Sequence, residues 1–202
     1  MLLALVLILC VLAAAVAGSG YFRGRLGRLR DACRDAFARL DEPLKARQDL
    51  VPELIAHWAA QGLLQRQVRE ALHGARQAAG AARAWAATCP DDVRALSRVN
   101  DSEAQLARAI QMSLQSVSAD RLESAVMRDL IDRLNQADAQ VRQQMIEFNR
   151  AVDAYNRHVL RTPMAVLARL LGFRPSLPLG KAMMPSSLMQ ASRVPTAQQA
   201  PA

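Results

Sequence analysis

Residues 121–160 read RLESAVMRDLIDRLNQADAQVRQQMIEFNRAVDAYNRHVL. Within them Leu122, Val126, Leu130, Leu134, Ala137, Val141, Met145, Phe148, Val152, Tyr155 and Val159 recur at steps of three and four. That period is helical and close to a heptad seam, so one helix of ~40 residues and ~60 Å is expected. A seam on one side of so long a helix needs other helices to cover it, and the stripes upstream supply them.

The nearest is Leu106, Ile110, Leu114 and Val117, with Asn100 and Glu103 as a capping pair at the start of that helix. A short break is expected at Ser118 to Asp120 and a loop at Thr88 to Asp92. Before the loop, Val68, Ala71, Ala75, Ala78, Ala82 and Trp85 form an alanine-rich stripe that lets a neighbour approach closely. Before that again come Leu26, Leu29, Cys33, Ala36 or Phe37, Leu40 and Leu44. No segment alternates as a strand would. Aromatics are only 4% of the 202 residues, and the Ala, Leu, Arg and Gln content favours helix. The expected fold is all-α: an N-terminal transmembrane helix followed by an antiparallel bundle of long helices.

The anchor is read from Met1 to Ala17, MLLALVLILCVLAAAVA, which carries no charge. With the small residues after it, about 20 positions suffice to cross a hydrocarbon core of ~30 Å. Tyr21 and Phe22 stand where an interfacial aromatic belt would lie, and Arg23, Arg25, Arg28 and Arg30 follow. By the positive-inside rule these place the N-terminus outside and the body in the cytoplasm. A cleaved signal peptide would want its positive charge before the apolar run, and here the charge follows it. Cys10 is too early, and Leu9 too large, for a lipoprotein site. The organisation expected is an anchor at 1–22, a helical body at 23–175 and a disordered Pro-, Ser- and Gln-rich tail at 176–202.

The octet Gln48 to Ile55, QDLVPELI, puts a proline into an apolar stripe. Asp49 can cap a new helix, with Pro52 in its first turn where a missing N–H costs nothing. With Pro43 upstream, a bend or restart is expected between the two prolines.

These segments also carry a resemblance. Leu40-Asp41, Leu44-Lys45, Arg47, Asp49-Leu50-Val51-Pro52 and Leu54 match one block, and Glu103 with Leu106 fits a middle position. Phe148-Asn149, Tyr155-Asn156, Pro163 and Gly172-Phe173-Arg174-Pro175 match a second block. Over residues 23 to 175 the chain resembles the LemA family of bacterial membrane-anchored helical proteins. Gln48, Glu53, Pro43 and Thr162 depart from the family pattern. What the resemblance implies is a membrane-associated helical protein without an established reaction.

The residues themselves point away from catalysis. His57, His73 and His158 are far apart, and neither a metal-ligand spacing, a nucleophile elbow nor a phosphate loop occurs. Asp129, Asp132, Asp138 and Glu147 are read as a solvated face paired with Arg128, Arg133 and Arg142. Three cysteines without a paired spacing argue against a disulfide framework. The net charge of +8 permits anionic partners, but acids interleave the arginines up to Asp153 and there is no nucleic-acid motif. We therefore expect no enzyme, no cofactor, no metal and no nucleic acid.

Two roles remain. One is a membrane-tethered module for an unknown protein partner, in which Asn149 and Asn156, one heptad apart, fix register or bind another backbone; the simpler reading of both is a satisfied hydrogen bond within the bundle. Asp49, Pro52 and Tyr155 are the other residues of the shared motif that could take part. The alternative is an anionic-lipid sensor or organiser that uses Arg23, Arg25, Arg28, Arg30 and the acid-free basic segment near Pro163 to Phe173. The simpler reading of that segment is that Leu167, Leu170, Leu171 and Phe173 cap the core. Oligomeric state is not legible.

Overall fold

Each apolar stripe becomes a helix. The computed structural model describes residues 2–62, 65–115, 124–161 and 164–180, and only the backbone of residues 2–19, Met164 and Leu167. The helices are α1 (Leu2–Ala60), α2 (Arg66–Thr88), α3 (Val93–Gln115), α4 (Ala125–Val159) and the short α5 (Met164–Leu170). All regular structure among the described residues is helical.

The bundle runs up, down, up, down. Phe37 meets Phe148 edge to face at 5.8 Å, Arg47 meets Asp138 at 2.9 Å, and Glu53 meets Arg133 at 2.8 Å. As the first number rises the second falls, so α1 and α4 are antiparallel. Asp41 with Arg83 at 2.8 Å and Asp49 with Arg76 at 3.6 Å set α1 against α2 the same way. A tight turn at residues 89–92 folds α3 back on α2. In it Asp92 accepts from the Arg94 N–H and so caps α3.

Two apolar clusters fill the interior. One, around Leu26, Phe37, Leu40, Leu96, Phe148 and Val152, lies at the end reached first by α1. The other, around Val51, Trp58, Leu72, Leu106, Ile110 and Leu134, lies at the far end.

Several expectations are corrected. The helix does not restart between the prolines: α1 is unbroken, and Pro43 and Pro52 lie inside it. Asp49 is therefore an exposed mid-helix residue, not a cap. Pro52 cannot donate to the carbonyl four residues back, which is that of Gln48. That carbonyl instead accepts from Arg76 Nε on α2 at 3.0 Å. The orphaned acceptor has become a cross-link between helices, which is why the interruption is tolerated.

α3 begins at Val93, so Asn100 and Glu103 are not its cap but lie well inside it. On α2 the buried stripe is Leu72, Ala79, Ala82 and Ala86, rotated from the expected one, and Ala71 and Ala78 face solvent. On α4 the seam holds from Leu130 to Val159, but Val126 is exposed and Met127 takes its place. Val117, the Ser118 to Asp120 break and Leu122 lie outside the described residues.

Among the described residues no helix is long and apolar enough to cross a membrane. Of the expected anchor at 1–22, residues 2–19 are described in backbone alone, and residue 1 lies outside the described residues.

Candidate functional site: a buried charge cluster and a docked strap

Between the two apolar clusters sits a polar layer. Arg47 of α1, 3% exposed, donates to Asp138 Oδ1 on α4 at 2.9 Å and to Glu103 Oε2 on α3. Gln48 Nε2 donates to Glu103 Oε1 at 2.5 Å, and Glu103 is fully buried. Desolvation on its own would lower the Arg47 pKa, but the facing Glu103 and Asp138 carboxylates raise it above the ordinary arginine value. One planar guanidinium thus ties three helices together through two carboxylates. Asp138, expected on the solvated face, is a buried member of this cluster. No metal is needed to explain its burial.

The second feature is built from the α4 residues singled out in the sequence. After α5, Gly172 (φ +78°) turns the chain, and residues 173–180 run back along α4 without regular structure. Asn156 donates through Nδ2 to the Ser176 carbonyl at 2.8 Å, and its Oδ1 accepts from the Ser176 N–H at 2.8 Å. Asn149 treats Leu179 identically, with distances of 2.6 Å and 2.8 Å. The Tyr155 hydroxyl donates to the Arg174 carbonyl at 2.9 Å. Burial, partly offset by Arg30, holds the Tyr155 phenol above its ordinary pKa, so it stays a donor. Across the gap, Asn100 Oδ1 on α3 accepts from the Gly180 N–H at 3.2 Å.

The strap therefore lies between α3 and α4, and buried Leu179 and Phe173 join the core. Its last residues, 176–180, belong to the segment expected as disordered tail and are instead docked; residues 181–202 lie outside the described residues.

The remaining candidates are dispersed. Arg23, Arg25 and Arg28 are exposed on α1. Arg30 is not free for lipid: with Arg34 it holds Asp91 Oδ2, at 2.8 Å and 2.6 Å. Phe22 packs half-buried against the core instead of standing in a belt, while Tyr21 is exposed. In the segment at 163–173, Ala168 and Phe173 cap the core, but Val166 and Leu170 face outward at 68% and 79% exposure. Among the described residues no three His, Cys, Asp or Glu side chains are placed to hold a metal.

The two described cysteines are both free, Cys33 buried and Cys89 exposed. Burial, reinforced by Asp91, pushes the Cys33 thiol up to about 11. At pH 8 iodoacetamide is therefore expected to modify Cys89 readily and Cys33 only on unfolding. Peptide mass mapping reads this directly, and equal labelling would contradict the packing around Cys33.

The missed signals were Glu103 and Asp138, each a charge on an otherwise buried helix face. Comparison with known proteins agrees with the motif reading. No curated protein and no solved structure matches the chain. A family model described as LemA family matches residues 36–182, which span Arg47, Glu103, Asp138, both asparagines and the strap. The chain belongs to the LemA family.

Proposed function

We propose that this protein is a membrane-tethered, non-enzymatic helical bundle that works as a protein-interaction or scaffolding module. The observation that carries this reading is α1, which runs unbroken from the apolar residues 2–17 through both core clusters to Ala60. At 1.5 Å per residue its 59 residues reach ~88 Å. If the apolar stretch spans the bilayer as a single pass, the same helix holds the body rigidly upright at the inner membrane. The arginines at 23, 25 and 28 put that body in the cytoplasm.

Cross-linking in intact membranes is expected to trap a specific protein partner, and a C-terminal reporter is expected to be active only on the cytoplasmic side. A reporter active only outside the cytoplasm would overturn the orientation. Repeated cross-linking that traps nothing beyond lipid would overturn the partner reading.

A second reading is favoured by α5. Exposed Leu160, Val166 and Leu170 are interspersed with exposed Arg161, Arg169 and Arg174 at the end of the bundle nearest the apolar stretch. Such a surface suits an anionic bilayer, each near-surface cation adding ~1 kcal/mol. A chain starting at residue 23 is then expected to float with anionic vesicles at low salt and to be released at high salt. Absence of flotation at low salt would remove this reading.

A further inference from the structure

The heptad spacing of Asn149 and Asn156 has a metric meaning. Seven residues of helix advance ~10.5 Å. Ser176 and Leu179, the residues they hold, are three apart, and three residues cover ~10 Å only when drawn out nearly straight. Each asparagine offers one acceptor and one donor to the N–H and C=O of a single residue. That is the exchange one strand residue makes with its partner in an antiparallel ladder. Asn100 and Tyr155 extend the row to Gly180 and Arg174 at either end.

All six of these bonds go to main-chain atoms. Side-chain selection comes from Leu177, half-buried against the core, and most strongly from the glycine end. Leu179 enters the core, and Gly180 (φ +117°) lies so close to Met145 that an added Cβ would stand 2.7 Å from its sulfur. Arg174, Pro175 and Pro178 point outward.

We propose that the α3–α4 groove is a main-chain-reading peptide site, that residues 174–180 are its resident intramolecular ligand, and that an extended segment of a partner protein carrying an apolar residue followed by glycine competes for it. The inference rests on the interaction-module reading and names its site. The groove recognises backbone at two positions three residues apart, so it accepts many sequences that can lie straight and that end in a leucine-like residue and glycine. The strap, held on the same chain, keeps it filled until a competitor of high local concentration arrives. Attachment to a membrane would supply that concentration.

The test uses the full chain in nanodiscs and a fluorescent heptapeptide with the sequence of residues 174–180. Leu179→Asp in the chain places a carboxylate where the core receives leucine, and so releases the strap. This variant is expected to bind the peptide saturably and at least 10-fold more tightly than the unaltered chain, whose groove is occupied. A peptide N-methylated at the positions of Ser176 and Leu179 lacks the two donors to the asparagines and is expected to bind at least 10-fold more weakly.

Equal binding of the methylated peptide would overturn the proposal, as would absence of saturable binding to a Leu179→Asp chain that keeps its helical circular dichroism. If that variant loses helicity, the unaltered chain decides. Excess peptide is expected to accelerate hydrogen exchange at its Ser176 and Leu179 amides, and unchanged exchange overturns the proposal. Cross-linking that traps no partner while the peptide still binds would remove the interaction-module reading and leave the groove's chemistry standing, so the two fail separately.

Discussion

Arg47→Ala is expected to destabilise the bundle by about 3–5 kcal/mol, because it strands two carboxylates in the interior. Glu103 has no exposed surface and Asp138 has little, so neither can recover its hydration without opening the helices. For a body of this size that loss lowers the melting temperature by about 10 °C, read from thermal unfolding followed by circular dichroism. Arg47→Lys is expected to be intermediate: an ammonium is a point charge and cannot form two directed bonds to carboxylates on different helices. Converting Arg47, Glu103 and Asp138 together to apolar residues of similar volume is expected to be neutral or stabilising, since no charge then remains to desolvate. A change below 1 kcal/mol in Arg47→Ala would show that water reaches the cluster and that it does not brace the fold.

The second large effect is expected at the strap. Asn149→Ala with Asn156→Ala removes four of its six bonds and leaves two main-chain N–H groups and two carbonyls unmatched in a half-buried groove. At about 1–3 kcal/mol per buried polar group left unpaired, partly relieved by solvent, local opening becomes at least ~100-fold more frequent. Hydrogen exchange at the Ser176 and Leu179 amides is the measurement. The four long helices should keep their protection, because strap release exposes only the edge of one core cluster. Asn→Asp at either position keeps the acceptor but faces a carboxylate to the Leu179 or Ser176 carbonyl, and is expected to release the strap as effectively as alanine. If the double variant leaves both amides as slow as before, Leu179 burial alone holds the strap.

How much of this was legible in advance differs by feature. The seam from Leu130 to Val159 was read residue by residue, because a helix against a continuous core repeats its apolar positions along one line. The buried α2 stripe is rotated from the expected one because alanine occurs on several of its faces, so periodicity alone does not select one. Asn149 and Asn156 stand out in the sequence by their spacing, and in the structure they hydrogen-bond the main chain of the strap of the same molecule. Which backbone was not readable, since a straight strap rich in proline and serine has no period. Pro52 was read as a helix start because the rule for a mid-helix proline counts the lost bond and not its replacement. Here the replacement comes from Arg76, 28 residues from the Gln48 carbonyl it meets.

The amino-acid sequence by itself determined that this protein is a bundle of long helices, where most of them lie, and which family it belongs to. Those properties are local: a period, a breaker or a motif is complete within a short stretch of chain. Only the tertiary structure decided that Arg47, Glu103 and Asp138 form one buried cluster, that the Gln48 carbonyl finds a partner in place of Pro52, and that residues 174–180 fill a groove. In each case the partners come from different elements, up to 91 residues apart for Arg47 and Asp138. A charged side chain reads the same on a solvated face as in the core. Its energy depends on what the neighbouring helix brings opposite it, and that is settled only when the helices pack.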